Sequence, residues 1–245
     1  MNTKLDTAVV LAGGAGTRLK PITGSIPKGM VEICGKPLLE WIVDWLVDNG
    51  VRNIVFGVAY RKDKIIDYFG DGSRFNADIK YSVHTVEGGT CEGFRLAIER
   101  HVNRENFFAM NGDQISDLRL ADLSSFHLQN GSIVTVVVNN PRCPYGHVVT
   151  NDDHEAVNFI EKPLCPHAWC NSGNYVFNRK ILDYLPLRGD IEKLTFPRLA
   201  KERKLKCYPF KGFFVTINTY KDLIEAREML SRRRASGNAR FCNDL

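Results

Sequence analysis

The segment Leu11-Ala-Gly-Gly-Ala-Gly-Thr-Arg18 places three glycines and a guanidinium within eight residues. Glycine lets a backbone approach a ligand closely, and the freed amides can cradle phosphate oxygens. Arg18 can fork two hydrogen bonds onto one phosphate. The spacing Gly13-Gly14-x-Gly16 differs from the Gly-x-Gly-x-x-Gly of dinucleotide sites, and no Gly-Lys-Ser or Gly-Lys-Thr follows, so the P-loop is excluded. A second reactive spot is Asn111-Gly112-Asp113, which puts a carboxylate just after an apolar run. Cys165-Pro-His-Ala-Trp-Cys170 offers thiols and an imidazole, but no paired spacing elsewhere completes a metal set. It reads as a loop with free thiols.

The elements around these residues alternate. Thr7 to Ala12 is a buried strand feeding the glycine turn. Leu38 to Asn49 has helical periodicity that Gly50 stops. Strands are predicted at 53–59, 79–83 and 107–110, with helices at 62–69 and 90–101 between them. Such alternation implies a mostly parallel sheet with helices on both faces, and ligands bind beyond the carboxyl ends of its strands. Gly13-Gly14 and Asn111-Gly112-Asp113 both sit at such ends. The second half is more mixed. It holds a strand over 132–139, a hairpin of 147–149 and 157–160 around Asn151-Asp152-Asp153, and a strand over 174–177. Helical stretches at 181–184, 192–201 and 221–233 and a strand at 205–208 complete it.

Bulk composition narrows the class. With 245 residues, 44% hydrophobic and 25% charged, the chain can bury a sizeable core without staples. A net charge of +5 suits small anionic substrates and does not indicate nucleic acid. Seven irregularly spaced cysteines, no signal-like start and no apolar run of the ~20 residues a membrane span needs imply reduced thiols, a cytoplasmic protein and no membrane partner. Arg232, Arg233 and Arg234 read as a solvated tail.

From Gly13 the chain continues through Arg18-Leu19 to Pro27-Lys28 and Met30-Val-Glu-Ile-Cys-Gly-Lys-Pro-Leu39. This long pattern resembles the signature of the sugar-1-phosphate nucleotidyltransferases (nucleotide-sugar pyrophosphorylases): Gly-Gly-x-Gly-Thr-Arg-Leu, a stretch of fixed length, then Pro-Lys. The resemblance runs from Ala8 to about Leu230. It implies a Rossmann-like three-layer α/β/α fold with a mostly parallel mixed central sheet and a sugar-binding second half. Residues 1–230 would form one domain, with 1–125 holding the nucleotide and 126–230 the sugar phosphate, and 231–245 a basic tail.

The resemblance also implies roles. Leu11, Ala12, Gly13 and Gly14 would line the nucleoside, with Gly16 and Thr17 completing the loop. Arg18 would grip the triphosphate, and Lys28 would lie against the α-phosphate and the sugar phosphate. Val83-His-Thr-Val-Glu-Gly-Gly-Thr90 resembles the base-reading loop, with His84, Gly89 and Thr90 at the base. Asp113 would hold Mg²⁺ between the phosphates. On the sugar side, Tyr145-Gly146, Glu161-Lys162-Pro163 and Asn171-Ser-Gly173 resemble family motifs, so Gly146, Glu161, Lys162, Asn171 and Gly173 would bind the sugar phosphate.

One stretch departs from the pattern. Relatives usually carry Trp-x-Asp-Ile-Gly-Thr-Pro, whose Asp is the second metal ligand. Here Phe214-Val-Thr-Ile-Asn-Thr-Tyr220 has Thr216 at the Asp and Asn218 at the Gly. Some cytidylyl-transferring relatives place a carboxylate at the Asn218 position, which makes Asn218, a neutral oxygen, the candidate second ligand.

The implied reaction is attack of a sugar phosphate oxygen on the α-phosphorus of a nucleoside triphosphate, with pyrophosphate leaving. A phosphate monoester has its second pKa near ~6, so the nucleophile is already ionised and needs no base. Partners would be an NTP and a sugar 1-phosphate; a homo-oligomer is compatible with all of this. Guanylyl transfer to a mannose- or heptose-type sugar is favoured. Cytidylyl transfer, a phosphorylated polyol acceptor and a non-catalytic nucleotide-sugar sensor are the alternatives. A glycosyltransferase would show Asp-x-Asp, whereas Asp113-Gln-Ile lacks the second carboxylate.

Overall fold

Residues alternate between two faces along each central strand, and this alternation builds the layers. The computed structural model describes residues 5–20 and 22–235. In chain order the elements are β1 (Thr7–Leu11), β2 (Glu32–Ile33), β3 (Lys36–Pro37), α1 (Leu38–Asp48), β4 (Asn53–Val58), α2 (Lys62–Phe69), β5 (Asp78–Val83) and α3 (Gly89–His101). Then come β6 (Asn106–Asn111), β7 (Gln114–Ser116), α4 (Leu120–Asn130), β8 (Val134–Asn139), β9 (His147–Thr150), β10 (Ala156–Ile160) and β11 (Cys170–Asn178). Last are α5 (Ile191–Lys201), β12 (Leu205–Pro209), β13 (Phe214–Thr216) and α6 (Tyr220–Ala235).

Seven strands form the central sheet in the order β12-β8-β11-β6-β1-β4-β5. Neighbours pair in parallel except at β11, which is antiparallel to both β6 and β8. Ala8, Val10, Ile54, Phe56, Phe108 and Met110 point to the face covered by α1, α2 and α4. Val9, Val55, Phe107 and Ala109 point to the other face, against Phe94, Ala97 and Ile98 of α3 and Ile191, Phe196 and Leu199 of α5. The fold is therefore the expected three-layer α/β/α arrangement around a mixed, mostly parallel sheet.

A third apolar cluster lies outside these layers. It joins Leu223, Ala226 and Leu230 of α6 to Leu19, Val31, Ile33, Trp41, Ile115 and Ile217. The β7–β13 ribbon belongs to the same region, pairing Thr216 with Gln114 and Phe214 with Ser116. Residues two hundred positions apart are thus fixed around the loops that carry Arg18, Lys28 and Asp113.

Some elements differ from expectation. The 120–130 helix is not announced by periodicity, because serines and His127 interrupt its apolar face. The 181–184 stretch is a 3₁₀ turn, Arg179–Asp183, begun by the Asn178 side chain accepting from the Lys180 amide. The basic tail expected at 231–245 starts as helix, since α6 runs to Ala235. Arg233 is not solvated: its guanidinium pairs with Asp117 at 2.9 Å and lies over the Phe213 ring at 4.2 Å. The remaining tail positions, 236–245, lie outside the described residues.

Candidate active site

β1 and β6 are adjacent and parallel, so their carboxyl ends deliver the glycine loop and Asn111-Gly112-Asp113 side by side. The Gly112 amide donates to the Leu11 carbonyl at 2.8 Å. A Cβ on Gly112 would stand 2.6 Å from that carbonyl oxygen, so the junction is closed to any side chain. Here opens a cavity of about 360 Å³. Every residue expected at the nucleotide lines it: Leu11, Ala12, Gly13, Gly14, Gly16, Thr17, His84, Gly89 and Thr90. Arg18, Lys28, Asp113 and Asn218 line it as well.

One end of the cavity is polar and charged. The Lys28 ammonium donates to Asp113 Oδ2 at 2.7 Å and to Asn218 Oδ1 at 2.8 Å. Arg18 reaches the same Asn218 oxygen at 3.4 Å. Lys28 and Asp113 are 13% and 27% exposed, so their pairing is only partly screened by water. Asp222 holds the segment in place by accepting the Asn218 and Thr219 amides at 2.9 and 2.8 Å. The Asn218 amide nitrogen donates to Thr216 Oγ1, which leaves the carbonyl oxygen facing Lys28. Of the two positions left open by the sequence, Asn218 faces the cavity and Thr216 stands behind it.

The other end is built by the loop between β5 and α3. His84 Nδ1 lies 2.9 Å from the Thr85 carbonyl and so carries the ring proton, while the ring packs against Gly13. Glu92 clamps the loop by accepting from the Thr85 amide and hydroxyl at 2.7 and 2.6 Å. Those hydrogen bonds hold its carboxyl below the usual range. Gly89 has φ +67°, and a Cβ there would meet the Gly189 carbonyl at 2.5 Å, so both backbone angle and space demand glycine.

The sugar-side residues do not line this cavity. Gly146, Glu161 and Lys162 sit on or beside the exposed β9–β10 hairpin, where a Cβ on Gly146 would meet Glu161 Oε2 at 3.0 Å. Asn171 donates to the Tyr175 hydroxyl and accepts the Gly173 amide. Gly173 borders the site: its Cβ position lies 3.0 Å from Asn111 Nδ2 and from Gln114 Nε2. Five lining residues were not singled out from sequence, namely Gly29, Val86, Asn111, Gly112 and Asp190. Asn111 was visible as part of its motif. Asp190 had no sequence signal, because it reaches the cavity from the start of α5. Asp190 and Asn218 also show that the second half of the chain helps to wall this cavity.

Among the described residues, no group of three or more His, Cys, Asp or Glu side chains converges, and Cys165 and Cys170 are free. No helix among them is long and apolar enough to cross a membrane.

A glycine loop, two cations and two oxygen donors at adjacent strand ends define an α/β protein equipped to hold a polyphosphate. Residues 7–233 match the family model described as Nucleotidyl transferase. The chain belongs to that family. It is 36% identical over 225 residues to the mannose-1-phosphate guanyltransferase of Gibberella zeae, covering 88% of this chain and 62% of that protein. It is 35% identical over 223 residues to the mannose-1-phosphate guanylyltransferase catalytic subunit beta of Dictyostelium discoideum, again spanning 62% of it. The chain thus spans about three-fifths of the length of these relatives. HddC from Yersinia pseudotuberculosis, solved in complex with GMP-PN, superposes with a TM-score of 0.71 at 28% identity, over 92% of this chain and 99% of that one.

Proposed function

We propose that this chain condenses a sugar 1-phosphate of the mannose or heptose type with GTP, giving a GDP-sugar and pyrophosphate. The observation that carries the reading is the convergence of Arg18, Lys28, Asp113 and Asn218 at one end of a cavity walled by the glycine loop. Such chemistry needs two anions positioned and their charge neutralised, and no side-chain nucleophile. The guanylyl preference is supported by the two mannose-1-phosphate relatives and by the GMP-PN complex of HddC.

In this reading the loop amides from Gly13 to Thr17 hold phosphate oxygens. Arg18 forks onto the triphosphate, and Lys28 exchanges Asp113 and Asn218 for the α-phosphate. Asp113 Oδ2 and Asn218 Oδ1 already share one bound cation, the Lys28 ammonium, and an all-oxygen pair fits Mg²⁺, which takes few protein ligands. Bound there, Mg²⁺ would neutralise phosphate charge. Gln114 Nε2, buried beside Gly173 without a hydrogen-bond partner among the described residues, supports placing sugar hydroxyls at that border. Glu161 and Lys162 would reach the acceptor from the hairpin. Cys91, Cys143, Cys165, Cys170 and Cys207 carry free thiols, which supports a cytoplasmic setting.

The test is pyrophosphate release from each NTP with mannose 1-phosphate or a heptose 1-phosphate and Mg²⁺. GTP should be preferred by at least ~100-fold, the scale expected when buried polar groups read a substrate. Absence of pyrophosphate with every pairing would remove the transferase reading and leave the sensor.

A further inference from the structure

The end of the cavity remote from Lys28 contains a carboxylate that the chemistry above does not use. Asp190 lines the cavity beside Val86, Gly89 and Thr90. It is the N-cap residue of α5, where an aspartate ordinarily accepts a hydrogen bond from the first helical turn. Here it does not cap. Thr90 Oγ1 takes over that work by accepting the Ile191 amide at 2.8 Å. Asp190 Oδ2 is held by Lys193 at 2.6 Å, and Oδ1 has no partner among the described residues. Oδ1 instead faces Gly89, 3.3 Å from where a Cβ on that residue would stand.

The backbone that carries this carboxylate is fixed in place. The Gly189 amide donates to the Gly88 carbonyl at 2.9 Å, and the Cys91 amide donates to the Gly189 carbonyl at 2.9 Å. These two bonds lock the turn before α5 onto the loop that Glu92 clamps. A polyphosphate must lie at the Arg18–Lys28 end, so the base of a bound nucleotide falls at this one.

We infer that Asp190 reads the base and selects guanine by accepting hydrogen bonds from N1–H and the 2-amino group. This rests on the guanylyl reading above and names the residue that enforces it. An ionised carboxylate only accepts. Guanine alone among the common bases presents two neighbouring donors on that edge. Uracil flanks its single N–H with carbonyls, whereas adenine and cytosine pair an amino group with a bare ring nitrogen. Each would set a lone pair against an Asp190 oxygen, and such unpaired polar contacts are what give a site its discrimination. Lys193 leaves Oδ2 a second lone pair for the amino group.

Steady-state kinetics with GTP, ITP and XTP on wild type, Asp190→Asn and Asp190→Ala test the inference. ITP lacks the amino group and should lose about 10- to 100-fold in kcat/KM with wild type, the range for one charge-assisted hydrogen bond. Xanthine carries a carbonyl where guanine carries the amino group, and an asparagine amide matches it. Asp190→Asn should therefore shift the GTP-to-XTP ratio of kcat/KM by roughly 10³-fold or more toward XTP, and Asp190→Ala should lower GTP use without raising XTP use. A merely structural role would lower all nucleotides together and leave the ratio unchanged. If wild type prefers GTP and Asp190→Asn keeps that preference, the assignment of Asp190 is overturned while the guanylyl reading stands. If wild type makes no use of GTP, both fall.

Discussion

Replacing Gly112 with alanine probes how tightly the two strand ends must fit. The added Cβ would lie 2.6 Å from the Leu11 carbonyl oxygen and 3.1 Å from Leu39 Cδ2. The Leu39 methyl can rotate away, but the carbonyl belongs to β1 and is fixed by sheet pairing on both sides. Ordinary contact begins near 3.4 Å, so the ends must part by about 0.8 Å. That movement weakens the Gly112–Leu11 hydrogen bond and displaces Asp113, the next residue, relative to the glycine loop. Overpacking of this kind costs about 1–3 kcal/mol. For a chain of this length that corresponds to a fall in Tm of roughly 2–12 °C, at about 2–4 °C per kcal/mol. A misplacement of about 1 Å between reacting groups costs on the order of 10²-fold in rate. Calorimetry and pyrophosphate-release kinetics on Gly112→Ala should therefore show a folded protein with kcat/KM down about 100-fold. A Tm within a degree of wild type together with kcat/KM within threefold would refute the argument that this junction sets the geometry of Asp113.

Two further substitutions follow from the same geometry. Asn218→Asp should lower the Mg²⁺ concentration needed for half-maximal turnover, because a carboxylate replaces a neutral oxygen at a position facing Asp113 through Lys28. Thr216→Asp should not, because Thr216 stands behind Asn218; equal responses in a magnesium titration would contradict this placement. His127 gives a pH dependence remote from the site. It is buried, its Nε2–H donates to Asn106 Oδ1 and its Nδ1 accepts from Thr135, and burial lowers its pKa to about 4. The unfolded chain then binds the extra proton between the ordinary imidazole value of 6.5 and about 4, so stability falls as pH drops through that window. Urea unfolding should show a loss of about 2 kcal/mol from this group between pH 7 and pH 5. His127→Gln should flatten that part of the curve, and an unchanged slope would remove His127 as its source.

The glycine loop, Arg18, Lys28 and Asp113 were legible in the sequence because they are short motifs whose chemistry is local: glycines at a strand end and charges at fixed offsets. The layers were legible too, since burial on two faces writes itself as alternation in β1, β4 and β6. The sequence by itself therefore determined the fold class and most of the charged end of the cavity. What it could not determine depends on distances between segments far apart in the chain. Whether Thr216 or Asn218 faces the site is decided by the β7–β13 pairing and by Asp222, which turn one side chain in and the other behind it. The fate of Arg233 is decided by Asp117 and Phe213, the first more than a hundred residues away and both at the end of the β7–β13 ribbon. Asp190 is the clearest instance. In sequence it carries no signal, and only the packing of α5 against α3, with Thr90 taking the Ile191 amide, brings it to the cavity wall.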